Sequence, residues 1–148
     1  MRKSKRFEPI QEIASTKAVD LSRVMGDAAR KVADLERQLE QLQAYRDEYV
    51  HNSTQSSGTM DAVRLQNYRS FLDRLSEALR QHMQSLGLAR AEFEKRRTQW
   101  SEKRIEAEVL NRVVDRFRKE EQHAADRREQ RDGDDAALRL ALAPRTDA

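Results

Sequence analysis

Apolar residues recur along most of the chain with alternating spacings of four and three, which is the seam pattern of a coiled coil. In the usual heptad labels abcdefg, the seam positions are a and d, and positions e and g flank them. One seam runs without a slip from Ala14 to Tyr49, and a second runs without a slip from Leu65 to Ala124. The pattern predicts an all-α chain of two long helices.

The two predicted helices are separated by the stretch HNSTQSSG, residues 51–58. Its Ser, Thr, Asn and Gly residues compete with helical hydrogen bonding, so we expect a connector there. The first helix is expected at about residues 8–50, with Pro9 in its first turn. The second is expected at about residues 59–131, followed by a disordered tail over 132–148.

A short connector makes consecutive helices antiparallel neighbours, so the predicted fold is an antiparallel coiled-coil hairpin with a longer second helix. Matching a layers with d layers around the connector pairs residues whose numbers add up to 107, as with Leu35 and Leu72. In this register, residues from about 107 onward have no partner in the chain, because the first helix is too short to reach them. The apolar seam nevertheless continues there, through Leu110, Val114 and Phe117.

An unpartnered apolar seam indicates a surface for another protein, and self-association or a frayed helix end is the alternative. Composition agrees with long helices rather than a globular core, since 37% of the residues are charged and 5% are aromatic. The chain has no Cys, which excludes disulfides and thiolate metal sites and fits a reducing, cytosolic setting. No apolar run approaches the about 20 residues that span a bilayer, and no apolar segment follows the basic N-terminus. We therefore expect a mature soluble protein.

Nucleic-acid binding and catalysis are both poorly supported. The net charge is only +3, with 29 basic and 26 acidic side chains spread along the chain, whereas a nucleic-acid binder usually concentrates its positive charge. His51, His82 and His123 share no ligand spacing, so no metal site is expected. There is no glycine-rich phosphate loop, and a two-helix fold offers no closed cleft for carboxylate chemistry. We expect neither an enzyme nor a cofactor.

A group of apolar residues lies on one flank of the seam near the connector. Tyr45 and Phe71 occupy g positions, where charged residues are usual, and the two g rows of an antiparallel pair flank the same side of the seam. Aromatic residues of this kind are enriched in protein interfaces, and a wider core is the alternative interpretation. The stripe comprises eight residues at g and d positions: Gln38, Leu42, Tyr45, Tyr49, Phe71, Leu75, Ala78 and His82.

At these residues the sequence resembles the FliJ family of flagellar type III export proteins. The matching stretches are LQAYRDEYVHN, NYRSFLDRLSEALRQH and WSEKR, and the resemblance covers most of residues 7–120. It implies a non-enzymatic antiparallel coiled coil, similar to the central stalk of rotary ATPases. The C-terminal stretch RREQRDGDDAALRLALAPRTDA departs from the better-known pattern.

The resemblance also implies partners and a location. Family members insert into the hexameric ring of the flagellar export ATPase, promote its assembly, engage the cytoplasmic domain of the export gate protein and meet export chaperones. The family's gate-contacting surface corresponds here to the eight residues of the stripe, and Leu110, Val114 and Phe117 are the candidate ATPase contacts. The implied location is the cytoplasm, peripherally at the inner-membrane export apparatus and only through these partners.

Two alternatives stay open from the sequence. A close alternative is the equivalent stalk of a virulence-type type III secretion system, which the sequence separates poorly from the flagellar one. It is also compatible with a generic structural coiled coil or a nucleic-acid-associated one, which salt dependence would distinguish, because phosphate binding weakens steeply with added salt.

Overall fold

The computed structural model describes residues 2–55 and 61–144. They form two helices, α1 (Lys3–Gln55) and α2 (Ala62–Leu142), with no strand in either described range. The helices pack antiparallel, with α2 the longer, so the predicted helical hairpin is confirmed. The chain divides into two compact units, one of residues 19–101 and one of residues 1–18 with 102–148.

Both ends of α1 extend beyond the sequence prediction. The helix begins at Lys3 rather than near residue 8 and includes Pro9, because side-chain contacts described below hold its first turns against α2. At the other end, residues 51–55 of the predicted connector are helical, and the Thr54 hydroxyl donates to the carbonyl oxygens of Val50 and His51. Hydroxyls that bond back to the preceding turn tolerate a helix, so polar composition alone placed the connector too early. Residues 56–58 of that connector lie outside the described residues.

The start of α2 follows from a capping residue. Asp61 accepts a hydrogen bond on Oδ1 from the backbone N–H of Arg64 at 2.8 Å, the geometry of an N-cap. The helix then continues to Leu142, whereas the sequence predicted disorder from residue 132. The stretch AALRLAL consists of strong helix formers, and these outweigh the cost of about 1 kcal/mol at Gly133. Residues 145–148 of the predicted tail lie outside the described residues.

In the unit of residues 19–101, the buried side chains follow the heptad assignment. Leu75, Leu79, Leu86 and Ala89 are buried, and all four occupy a or d positions. Polar contacts join the helices across the seam: Gln38 Oε1 lies 2.9 Å from His82 Nε2, and Arg90 Nη2 donates to Glu36 Oε1 at 3.0 Å. The seam predicted from periodicity therefore forms the core of this unit.

In the unit of residues 1–18 and 102–148, the core also lies at a and d positions. Ala14, Ala18 and Ala107 are buried, and Val114 is 0% exposed. The Phe7 and Phe117 rings pack with centroids 5.3 Å apart. These contacts hold the early turns of α1 in place.

The predicted register is wrong by two heptads. The numbers of the residues in contact add up to 120 for Gln38 and His82, and to 124 for Phe7 and Phe117, instead of 107. Sliding one helix along the other by about 14 residues, or two heptads, keeps every a layer opposite a d layer. Periodicity alone therefore does not distinguish the two registers. Leu35 and Leu72 are consequently not partners.

The register also removes the predicted overhang from residue 107. Val114 is fully buried, Leu110 is half-buried, and Phe117 contacts Phe7 of α1. The prediction that these residues lack a partner in the chain is therefore wrong. Towards the end of α2, every described side chain from residue 125 to residue 144 is exposed.

Candidate partner-binding surface

Four aromatic residues of the 19–101 unit meet where α1 ends and α2 begins. We call them the aromatic cluster: Tyr45, Tyr49, Tyr68 and Phe71. Tyr49 is central, with its ring 4.4 Å from that of Phe71 and stacked at 5.4 Å on that of Tyr68. Tyr45 meets Phe71 edge to face at 6.2 Å. Edge-to-face and offset stacks are the favoured aromatic geometries, so the cluster is a packed group with fixed ring orientations.

Helix spacing explains why the cluster forms. Tyr45 and Tyr49 are four residues apart on α1, and Tyr68 and Phe71 are three apart on α2, so each pair lies one turn apart on its helix. The d positions of Tyr49 and Tyr68 direct their rings to the seam. The g positions of Tyr45 and Phe71 place them on one flank, as the sequence predicted.

Exposure divides the predicted stripe into accessible and supporting residues. Tyr45 is 52% exposed and Gln38 is exposed, whereas Leu75 is only 9% exposed. Leu75 therefore supports the surface from beneath. The remaining members are half-buried at the flank: Leu42, Tyr49, Phe71, Ala78 and His82.

The polar end of the stripe is also organised across the helices. Gln38 at g and His82 at d are joined by the 2.9 Å hydrogen bond, which lies beside half-buried Leu42 and Ala78. The structure thus brings together the predicted residues of both helices on one flank. Tyr68 is a member that sequence reasoning missed, although its three-residue spacing from Phe71 was the available signal.

The second predicted site has a different character. Val114 has no accessible surface, Leu110 is half-buried, and Phe117 lies beneath Lys3, whose Nζ is 5.6 Å from the ring centroid. These residues hold α1 and α2 together. They present little surface to a partner such as an ATPase, because their apolar atoms face α1.

The charged surface has the character of ordinary exposed helices. Arg80 hydrogen-bonds Glu77 one turn away, which lowers the pKa of Glu77 and raises that of Arg80. The described residues contain no group of three or more His, Cys, Asp or Glu side chains arranged to hold a metal ion. Neither described helix has a stretch apolar enough to cross a membrane.

Comparison with known proteins identifies the family. Residues 3–146 match the family model described as Flagellar FliJ protein. The chain belongs to the FliJ family. This confirms the resemblance found in the sequence and makes the chain a component of flagellar protein export.

Two FliJ relatives cover nearly the whole chain. The Flagellar FliJ protein of Escherichia coli (strain K12) is 26% identical over 134 residues, which cover 90% of this chain and 91% of the relative. That of Salmonella typhi is 26% identical over 137 residues, covering 92% and 93%. No solved structure matches the chain significantly. The match favours the flagellar over the virulence-type alternative.

Proposed function

We propose that this FliJ-family chain is a non-enzymatic adaptor that binds the cytoplasmic domain of the flagellar export gate through the exposed part of the stripe. The same chain engages the hexameric ring of the export ATPase and meets export chaperones. Through these partners it works in the cytoplasm at the inner-membrane export apparatus. No cofactor enters this role.

The observation that carries the gate proposal is the exposed Tyr45 ring held edge to face on Phe71. A large aromatic residue left half exposed gains free energy when a partner covers it, and interface hot spots are enriched in tyrosine. Its neighbours fix the ring before binding, because Phe71 is itself packed against Tyr49. A pre-organised aromatic group loses little conformational entropy when it binds.

Polar groups on the same flank can fix the orientation of a partner that binds this surface. Gln38 is exposed and shares its hydrogen bond with His82, so an amide or imidazole edge lies on the same flank, two helical turns from Tyr45. An apolar centre with a polar rim is the usual composition of a protein interface. Leu75 contributes by supporting this surface, since its own side chain is buried.

ATPase engagement rests on family membership rather than on the residues that the sequence singled out. Leu110, Val114 and Phe117 are occupied by packing against α1, so we do not place the contact on their side chains. The proposal is that the ring and the gate use different parts of the chain. A variant of the stripe should therefore separate the two activities.

Co-purification with each partner tests the proposal. The double variant Tyr45→Ala, Phe71→Ala should keep its helical circular dichroism and its ATPase association while losing the gate's cytoplasmic domain. In cells it should lose motility. The matched control is Met83→Ala, because Met83 is 49% exposed in the same unit but lies on the opposite, e, flank. Gate binding by the double variant at the wild-type level would refute the assignment of this surface.

A further inference from the structure

A groove opens on the g flank of the 19–101 unit, and no side chain of the described residues fills it. It has a volume of about 370 Å³, and we call it the g-flank groove. Small residues form its floor, with Ala28 from α1 and Ala89 from α2. Leu35 and Leu88 form its apolar wall, and Leu88 is 72% exposed.

One charged group at this groove is available to a ligand. Lys31 lies one turn before Leu35 on α1 and takes part in none of the ion pairs formed within the described ranges. The groove's carboxylate, Glu92, is instead held by Arg96 at 2.8 Å. The groove therefore suits a helix that presents apolar side chains with a carboxylate one turn away.

The chain carries such a helix at the end of α2. Leu138 and Leu142 are well exposed and four residues apart, so both lie on one face of the helix. Asp134 and Asp135 precede Leu138 by four and three residues, which puts carboxylates one turn before the leucines on that face. The spacing from Asp134 to Leu138 equals the spacing from Lys31 to Leu35.

We propose that the C-terminal segment of a second copy of this chain, residues 132–142, docks in the g-flank groove. Leu138 covers Leu35 and Leu88, Asp134 or Asp135 pairs with Lys31, and Leu142 lies one turn farther along α1. The segment then runs parallel to α1, because the charged residue precedes the leucine along the chain in both: Lys31 precedes Leu35, and Asp134 precedes Leu138. A second copy is required, since the segment and Leu88 belong to the same continuous helix and a helix does not fold back on itself.

None of the residues that line the groove belongs to the stripe of the proposed gate interface, although the two surfaces adjoin on the g flank. A contact between two different surfaces of the same chain closes into a dimer if it is reciprocal and extends into longer assemblies if it is not. In both cases it depends on protein concentration. Sedimentation equilibrium of the full chain should therefore show a mass above that of one copy at high concentration.

A matched pair of variants tests the groove. Leu88→Glu should raise the dissociation constant of self-association by about tenfold or more, because a charge replaces a leucine that becomes covered. Met83→Glu introduces the same charge at another exposed residue of α2 and should leave self-association unchanged. Both variants should keep the wild-type circular dichroism, since both side chains are substantially exposed.

An exchange of charges tests the identity of the occupant. The variant Lys31→Glu and the variant Asp134→Lys, Asp135→Lys should each associate weakly with themselves. An equimolar mixture of the two should associate as wild type does, because the reversed groove then meets the reversed segment. A chain that stays monomeric at its highest soluble concentration would overturn the proposal. Self-association that Leu88→Glu leaves intact, or variants that the mixture fails to rescue, would overturn it equally.

Discussion

Tyr45 and Met83 are exposed to nearly the same extent in the same unit, yet their surroundings differ. Tyr45 leans on Phe71 within the aromatic cluster, whereas Met83 takes part in no ring contact of that cluster. Isolated exposed apolar residues are common on protein surfaces and carry no functional meaning, whereas a grouped and oriented set does. The environment of Tyr45, more than its exposure, is the reason we propose it as a partner-binding residue.

Val114 is a core residue in the structure, whereas the sequence suggested that it contacts a partner. The substitution Val114→Asp should destabilise the protein by more than about 3 kcal/mol, because it places an unpaired charge in the seam. The exposed Val109 is the matched control, and Val109→Asp should change stability by less than about 0.5 kcal/mol. Urea denaturation followed by circular dichroism measures both. Equal effects of the two substitutions would mean that Val114 is not in the core.

At the scale of the single helix, the first turns of α1 are held by a carboxylate from α2. Glu121 accepts hydrogen bonds from the Ser4 hydroxyl at 2.7 Å and from the Ser4 backbone N–H at 3.1 Å. The backbone bond satisfies one of the N–H groups that a helix start leaves without a partner. The Ser4 hydroxyl, and then its N–H, lower the pKa of Glu121 below its ordinary value of 4.5.

This contact should make the start of α1 sensitive to acid. Because the pKa of Glu121 is lowered in the folded state, its stabilising contribution is present above pH 4.5 and is lost as the pH falls through the folded-state pKa. The protection of the Ser4 amide, measured against its intrinsic exchange rate at each pH, should fall over that acid range. The variant Glu121→Gln keeps an acceptor but does not titrate, so its exchange should lack this step. A step of the same size in Glu121→Gln would assign the effect to other carboxylates.

Gly87 lies inside α2 and should reduce its stability. A Cβ built at this position would meet no atom within 4 Å, apart from its chain neighbours and its own helix backbone. Gly87→Ala should therefore raise the free energy of unfolding by roughly 0.5–1 kcal/mol, through the higher helix propensity of Ala. Gly26→Ala, on α1, meets the same open space and should behave alike. Thermal melting of the two variants measures the gain, and a loss of stability in either would show that its glycine has a packing role.

At the scale of the whole molecule, cross-linking within one chain tests the register. Cysteines at positions 36 and 90 should be joined efficiently by a short bismaleimide, because the native Glu36 and Arg90 side chains meet at 3.0 Å. The native chain has no Cys to interfere. Cysteines at positions 35 and 72 should link poorly. The reverse result would restore the register in which residue numbers add up to 107.

Periodicity predicted the seam and the hairpin but not which layers meet. The buried residues Leu79 and Leu86 lie at their predicted heptad positions, since burial of an apolar face is a local property of the pattern. Register depends on contacts between distant residues, such as Glu36 with Arg90 and Ser4 with Glu121, which heptad spacing does not specify. An exposed ion pair such as Glu36 with Arg90 contributes little stability, but it forms in only one alignment of the helices.

The candidate surface was predictable for a related reason. The flank on which Tyr45 and Phe71 lie follows from their g positions, and a shift of two heptads leaves that flank unchanged. The contact between the Tyr45 and Phe71 rings, in contrast, forms only in the register that the structure shows. The overhang from residue 107 was wrongly predicted because it depended on how the two helices align, a long-range property, and the ATPase contact stays a prediction. Features fixed within one heptad were thus predicted correctly, and features that depend on chain alignment were not.

We propose that the exposed Tyr45 anchors the export gate, and calorimetric titration with the gate's cytoplasmic domain is the direct test. Wild type, Tyr45→Ala and Met83→Ala are titrated under the same conditions. We predict that Tyr45→Ala weakens binding by about 2 kcal/mol, or roughly thirtyfold in the dissociation constant, the scale of an interface hot spot. Met83→Ala should bind as wild type does. Equal dissociation constants for Tyr45→Ala and Met83→Ala would contradict it.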